Sequence, residues 1–298
     1  MPRLAYVNGH YVPHSDAAVS IDDRGYQFAD GIYEVVAVVG GVIVDMPPHM
    51  SRLHSSLKSL DIKMPMSERA LGLVMKQLIR RNKLSYGILY LQITRGVAPR
   101  DHAYAADLRP SMVMTCRSIP TRIAAGKVQG GISVRSFSEE RWARPDIKSI
   151  SLLPNILAKQ AAREAGDFEA WFVDSEGQVT EGASTNAWMV TKDGSLITRP
   201  LSKAILPGVV RGIVFGLATE LDLKIEERGF TLAEAFEAKE AFITSTGGVF
   251  PVVALDGTTI ANGSPGDVTL RLVDAFNRHL AGQTTDPDAT FAVLSSAV

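Results

Sequence analysis

Cysteine is nearly absent. Cys116 is the one cysteine in 298 residues, so no internal disulfide can form, and the chain suits a reducing compartment, the cytoplasm. Within "SMVMTCRSI" it reads as a small buried hydrophobe on a strand rather than as a reactive thiol. Long apolar runs are missing too: none approaches the roughly 20 residues that span a bilayer. The opening "MPRLAYVNGHYVPHS" has no apolar stretch of the signal-peptide kind, so a soluble protein is expected. Charge of one sign is also lacking. The net charge is −1, with no basic block and no acidic tail, so electrostatics give no reason to expect nucleic acid or anionic membrane as a partner. The nucleotide cradles GxGxxG and GxxxxGK[ST] are absent, as is the GxSxG nucleophile elbow. The histidines, at 10, 14, 49, 54, 102 and 279, are scattered. His10 and His14 are four apart but on a hairpin without helical pattern, so no metal site is expected.

What is present is a large apolar share, 46% against 21% charged, enough for one large domain or two medium ones. "LAYVNGHYV" predicts a hairpin turning at Asn8-Gly9, and "GIYEVVAVVGGVIVDM" two strands turning at Gly40-Gly41. Met50, Leu53, Leu57 and Leu60 recur at helical spacing, and Ser67 opens a second helix. "YGILYLQITRG" and "SMVMTCRSI" predict strands. "PTRIAAGKVQGG", 120–131, has few large apolar groups and reads as an interdomain linker. That places a smaller N-terminal domain at 1–119, a larger one at 132–281, and a loose tail at 282–298. In the second part "ISVRSFS" is a strand and the apolar segment around Lys148 another. A helix follows with Asn155 as cap and Gly166 as stop. A meander then turns at Glu176-Gly177 and Asp193-Gly194, "ILPGVVRG" feeds a helix, and Thr231 with Glu234 has capping-box spacing. The order is α+β in both halves, not a regular βαβ alternation.

The chemistry centres on "RPDIKSISLLPNILAKQ". Lys148 is hemmed by Ile147, Ile150, Leu152 and Leu153. Withdrawing an ammonium ion from water disfavours its charge, and the neutral amine is a nucleophile suited to Schiff-base chemistry. A lysine there can equally alternate outward on an edge strand, or snorkel; position alone leaves both open. Lys159, on the amphipathic helix that follows, reads as a solvated surface lysine. "LPGVVRG" and "TSTGG" offer small residues and backbone N–H groups, the first at a helix N-terminus that favours phosphate. The hydroxyls of Thr244, Ser245 and Thr246 can join them. Beside a buried lysine these loops point to a phosphorylated aldehyde, pyridoxal 5′-phosphate. Glu181 in "VTEGASTN" is either an ordinary strand-end carboxylate or the partner of a protonated pyridine nitrogen.

Taken in order, "DIKSISLLPNILAKQ", "VTEGASTN", "ILPGVVRG" and "FITSTGGVFPV" resemble the fold-type IV pyridoxal-phosphate enzymes. These are the branched-chain aminotransferases, D-amino-acid aminotransferases, (R)-amine transaminases and aminodeoxychorismate lyases. The likeness runs from about Val7 to about Phe276 and implies their two-domain α+β fold. It implies that Lys148 holds the cofactor and shuttles the proton, and that Glu181 pairs with the pyridine nitrogen. Arg52 in "HMSRLHSSL" matches the phosphate-binding arginine. The backbone of Val209 and Val210 and the hydroxyl of Thr246, with Ser245 nearby, complete the phosphate cup, and Leu206 packs on the ring. "TRGVAPRDHAY" carries Arg100-Asp101-His102, which with Tyr33 is similar to the carboxylate trap of the D-amino-acid enzymes. There the trap loop comes from the neighbouring subunit, which implies a homodimer. An arginine fork suits a carboxylate, and Tyr and His add donors. The implied activity is transfer of an amino group from a D-amino acid to a 2-oxo acid by a ping-pong route. The alternatives are a branched-chain L-amino-acid or (R)-amine transaminase, or an aminodeoxychorismate lyase. Retention of both Lys148 and Glu181 argues against a binding module without catalysis. Two departures bear on substrate range and cofactor affinity. Ala37 stands where the D-amino-acid enzymes often have lysine, and Val209 and Val210 stand where a hydroxyl-bearing pair can occur.

Overall fold

Alternation of apolar and polar residues builds the first sheet. The structure, a computed structural model, describes residues 3–284. β1 (Leu4–Val7) and β2 (His10–Pro13) form the expected hairpin. Asn8 and Gly9 sit at φ 46° and 101°, as a two-residue type I′ turn requires. A short helix, α1 (Arg24–Phe28), leads into β3 (Gly31–Val39) and β4 (Val42–Ile43). Two longer helices follow, α2 (Met46–Ser59) and α3 (Glu68–Asn82), then β5 (Gly87–Thr94) and β6 (Ser111–Ser118). The strands lie in the order β2-β1-β6-β5-β3-β4, every neighbour antiparallel. Leu89, Leu91 and Ile93 alternate onto one face, where they meet Met50, Leu53 and Leu57 of α2 and Leu71, Met75 and Leu78 of α3 in one buried cluster. Cys116 joins that cluster as expected, and burial pushes its thiol up to about 11, which leaves it unreactive.

The chain divides into two compact units. The first holds the described residues up to Pro120 together with Ile147–Ser151 and the stretch from Gln283; the second holds Thr121–Asp146 and Leu152–Gly282. The span 120–131 is not a bare linker: Thr121–Gly130 is helix α4. Its Val128 is 1% exposed, so packing overrides the scarcity of large apolar groups that suggested a connector. The expected tail lies outside the described residues from 285 onward.

The second unit continues with β7 (Ile132–Ser138), α5 (Leu153–Glu164), β8 (Glu169–Val173), β9 (Val179–Gly182), β10 (Asn186–Val190) and β11 (Leu196–Thr198). After these come α6 (Val209–Glu220), β12 (Ile225–Glu227), α7 (Leu232–Glu237), β13 (Glu240–Ser245), β14 (Gly248–Leu255), β15 (Thr258–Thr259) and α8 (Asp267–Ala281). The sheet runs β12-β11-β10-β13-β14-β7-β8-β9, with β15 paired to β14. Parallel pairs (β14–β7, β7–β8, β11–β12) mix with antiparallel ones, which gives the α+β character read from the sequence. Trp171, Trp188, Phe172, Phe230 and Phe242 are its largest fully buried side chains. The capping box of Thr231 and Glu234 forms as predicted. Asn155 does not cap α5, which starts at Leu153 with Pro154 in its first turn; its amide donates instead to the Ala183 carbonyl at 2.8 Å.

Candidate active site

Lys148 does not lie on a strand. Its segment is irregular and touches the first sheet through one bridge, Ile32 to Ser149. The apolar residues that suggested a strand serve instead to dock it. Ile147 is buried in the core of the first unit, and the backbone follows the part of β3 that β4 does not reach. The Tyr33 N–H donates to the Lys148 carbonyl at 2.9 Å and the Ile150 N–H to the Gly31 carbonyl at 3.1 Å. The Lys148 N–H donates to Ser56 Oγ of α2 at 3.3 Å. With its backbone held on three sides, the side chain is aimed: Nζ lies 4.1 Å from the centroid of the Tyr33 ring. Tyr33 stacks in turn on Tyr90, centroids 5.7 Å apart, and burial pushes the Tyr90 phenol up to about 12.

The period of two places Glu34 on the opposite face of β3 from Tyr33, toward α2. There it meets His49 and Arg52, three apart and so on one helical face. Arg52 Nε and Nη2 each reach a Glu34 oxygen at 2.8 Å, and His49 Nδ1 is 2.8 Å from Oε2. Burial opposes ionisation of Glu34, but the hydrogen bonds from Arg52 and His49 outweigh it and hold the carboxyl at about 2. Arg52 is therefore a buried, oriented guanidinium and not a solvated one. Sequence reasoning missed Glu34 and His49, although an acid inside "IYEVVAVV" is the same signal that singled out Lys148.

In the second unit, β9 brings Glu181 into the interior, 4% exposed. Its oxygens receive Arg141 Nη1 at 2.5 Å, Asn186 Nδ2 at 2.9 Å, and the Leu206 N–H at 3.1 and 3.0 Å. Burial pushes the carboxyl up to about 7 against the pull of Arg141. Arg141 itself is clamped by Glu139, at 2.9 and 2.6 Å, and lies 4.7 Å from the Phe172 ring centroid. "EERWARPD" has the look of a solvated charge run, so nothing local marked Arg141 as buried. Asn186 also donates to the Leu206 carbonyl at 3.0 Å, which ties the 206–208 loop to Glu181. α6 starts immediately after, with Val209 and Val210 in its first turn and no side-chain cap from Gly208. The first N–H groups of a helix have no intrahelical acceptor. A Cβ on Gly208 would stand 2.0 Å from Asn186 Oδ1, so only glycine lets the helix begin this close. Nearby on β13, the Ser245 hydroxyl accepts from the Gly247 N–H at 3.2 Å, and Thr246 follows in the same turn. Thr244 points inward and accepts from Trp188 Nε1 at 3.1 Å.

The remaining expected residues divide into two groups. Tyr33 lies with Lys148, as above. Arg100 and His102 are exposed and rest on Phe28, with the Arg100 guanidinium carbon 4.6 Å and the His102 ring 5.5 Å from its centroid. Lys159 is not a solvated lysine: Nζ pairs with the fully buried Glu169 at 2.9 Å and donates to the Phe168 carbonyl at 2.5 Å. Among the described residues no group of three or more His, Cys, Asp or Glu is placed to hold a metal, and no helix is long and apolar enough to cross a membrane.

The family model for class IV amino-transferases matches residues 31–255. This chain belongs to that family. Among curated class IV relatives, a D-alanine aminotransferase of Bacillus licheniformis is 40% identical over 278 residues, covering 93% of this chain and 97% of the relative. One of Listeria monocytogenes is 39% identical over 274 residues, 91% of this chain and 93% of the relative. Among solved structures, the branched-chain amino acid aminotransferase of Escherichia coli superposes with a TM-score of 0.89 at 26% identity, over 96% of this chain and 97% of the other. A 4-amino-4-deoxychorismate lyase of Pseudomonas aeruginosa gives 0.75 at 25% identity, over 92% and 98%. The class IV fold is thus common to transaminases and a lyase, and the reaction has to be argued from side chains.

Proposed function

We propose that this chain transfers the amino group of a D-amino acid to a 2-oxo acid, with pyridoxal 5′-phosphate as cofactor. Glu181 carries the cofactor half of the reading. A buried carboxylate fixed by four donor contacts and poised at about 7 is suited to share a proton with a heteroaromatic nitrogen. The other donors suit such a molecule in kind: an aimed lysine amine, an oriented arginine, and helix-start N–H groups that lack an intrahelical acceptor. The D-amino-acid half draws on the relatives named D-alanine aminotransferase and on the exposed Arg100 and His102.

When bound, pyridoxal phosphate would supply an electron sink for the charge left at the substrate's Cα. Lys148 would hold it covalently and, once freed, take the Cα proton and return it. Tyr33, 4.1 Å below Nζ, would limit where that amine travels. Arg52, turned by Glu34, would take phosphate oxygens, as would the N–H groups of Val209 and Val210 and the hydroxyls of Ser245 and Thr246. Leu206 would pack against the ring. Arg100, His102 and Tyr33 would bind the substrate carboxylate, with the loop supplied by a neighbouring subunit of a homodimer. Because the same residues serve both half-reactions, the amino group would wait on the protein between donor and acceptor, which is ping-pong order.

The test is the visible absorbance of the purified protein, followed on adding D-alanine and, separately, L-leucine. Protein-bound pyridoxal phosphate absorbs in the visible, and bleaching by D-alanine alone supports cofactor and stereochemistry together. Bleaching by L-leucine alone moves the chain to the branched-chain group. Pyruvate released from aminodeoxychorismate without an acceptor moves it to the lyases. Lys148→Ala is expected to abolish the response to every amino acid; an unaltered response would remove Lys148 from the chemistry.

A further inference from the structure

The loop that carries Arg100 and His102 is exposed from Arg100 to Tyr104, yet its backbone is gripped by a buried side chain. Arg24, 4% exposed on α1, donates through Nη1 to the Asp101 carbonyl at 2.6 Å and the Ala103 carbonyl at 3.4 Å, and through Nη2 to the His102 carbonyl at 3.1 Å. Its Nε donates to Asp30 at 2.8 Å. Arg95 shares the same Asp30 oxygen, Oδ2, through Nε at 2.8 Å and donates through Nη2 to Oδ1 at 3.0 Å, and its guanidinium carbon lies 3.6 Å from the Tyr104 ring centroid. Two buried arginines thus share one carboxylate and spend their other donors on carbonyls. Loop carbonyls exposed to water need no such partner, and burying a guanidinium is costly. An arrangement of this kind constrains geometry. The ring beneath the trap residues is shared as well: Phe28 has Arg24 4.9 Å and Arg100 4.6 Å from its centroid.

The segment bearing Arg24 is itself pinned to the base of the loop. The Arg24 N–H donates to the Gly96 carbonyl at 2.9 Å and the Ala98 N–H to the Asp22 carbonyl at 3.2 Å. Thr94 Oγ1 donates to Asp23 at 3.0 Å. Gly96 stands at φ +109°, with a would-be Cβ 2.0 Å from the Arg109 carbonyl oxygen, so the loop leaves and returns through a point no other residue fits. Base and tip are fixed to one rigid turn, and Arg24 is the tip's attachment.

We propose that Arg24 is a positioning residue: by fixing the carbonyls of 101–103 it places Arg100 and His102, and so sets the affinity for the substrate carboxylate. This rests on the reading of those two residues as the carboxylate trap. Displacing such a clamp by an ångström costs on the order of 100-fold. The test compares Arg24→Gln, Arg24→Lys, Arg100→Ala and the double variant Arg24→Gln/Arg100→Ala. Steady-state kinetics with D-alanine and 2-oxoglutarate are read beside amide hydrogen exchange at 101–104. Arg24→Gln is expected to raise both KM values about 10-fold or more with kcat changed by less than about 3-fold. It is expected to speed exchange at 101–104, which Arg100→Ala leaves alone. Arg24→Lys keeps the charge beside Asp30 but not the fork, so its KM is expected to fall between wild type and Arg24→Gln. If Arg24→Gln does not fold, Arg24→Lys alone reads the KM-against-kcat split. A residue acting through Arg100 adds nothing once Arg100 is gone, so the double variant is expected to match Arg100→Ala. Unchanged KM, or effects that multiply in the double variant, would overturn the proposal. A wild-type protein inactive on D-amino acids would sink the trap reading and this role with it, while the exchange data would still report whether Arg24 anchors the loop.

Discussion

At the scale of single residues, two buried carboxylates make opposite contributions. Glu34, held at about 2 against an ordinary 4.5, stabilises the fold at neutral pH by about 3 kcal/mol. Because its folded pKa is depressed, that contribution is present above pH 4.5 and lost as pH falls toward 2. Glu181, raised to about 7, works in the other sense. In the cofactor-free protein its contribution is full below pH 4.5 and disappears as pH rises to 7, a loss of about 3 kcal/mol. Urea unfolding of cofactor-free protein from pH 3 to 8 separates the two, using wild type, Glu34→Gln and Glu181→Gln. Glu34→Gln is expected to be destabilised at pH 7 and to approach wild type in acid. Glu181→Gln is expected to gain on wild type as pH rises from 4.5 to 7, since an amide spares the cost of a buried charge. Parallel curves for all three proteins would show that neither carboxyl titrates as assigned. Glu181 thus sacrifices stability for a proton held near neutrality, the pattern expected of a functional group.

At the scale of elements, α8 shows how one strand closes a helix. Its N-cap is Gly266, which offers no side chain. The missing acceptor comes from β13: Glu240 accepts from the Val268 N–H at 3.0 Å and from the Thr269 N–H and hydroxyl, both at 2.8 Å. Glu240→Ala leaves these donors buried and unpaired and is expected to cost about 2 kcal/mol, with faster exchange confined to the first turn of α8. Glu240→Gln, which keeps one acceptor oxygen, is expected to cost less; equal losses would show that charge and not hydrogen bonding matters. Such partnerships explain where sequence reading stopped. α2 and α3 were legible because their apolar stripes are local, and the β1–β2 turn because Asn-Gly is nearly self-sufficient. α4 was not, because its helicity depends on where Val128 is buried. The Lys148 segment read as a strand because apolar density was visible, but not that it would dock along β3 by backbone hydrogen bonds. Lys148, Arg52 and Glu181 were within reach through the family resemblance and the oddness of charge among apolar neighbours. Arg24 and Arg141 were not: each lies in a polar stretch, and its burial is decided by residues tens of positions away.

At the scale of the whole molecule, the residues proposed for the carboxylate trap raise the question of how many chains build one site. Tyr33 packs against Tyr90 with Lys148 above it, whereas Arg100 and His102 pack on Phe28. If the trap loop is donated across a two-fold axis, each site combines Lys148 of one protomer with the partner subunit's Arg100. Neither Lys148→Ala nor Arg100→Ala then has an intact site as a homodimer. A mixed dimer has one site with both residues intact and one with neither. Co-expressed in equal amounts, half of the dimers are mixed, so activity measured well below KM is expected to recover to about a quarter of wild type. The residual rate of Arg100→Ala alone is subtracted, and differently tagged chains allow the mixed dimer to be isolated and its stoichiometry checked. Isolated mixed dimers without activity would mean that each protomer completes its own site. In that case Arg24 would place its own chain's trap, and the dimer would lose its chemical reason. Recovery would mean that the rigid turn from Asp22 to Asp30 performs its function on the neighbouring chain, so that a buried contact in one protomer sets substrate affinity in the other.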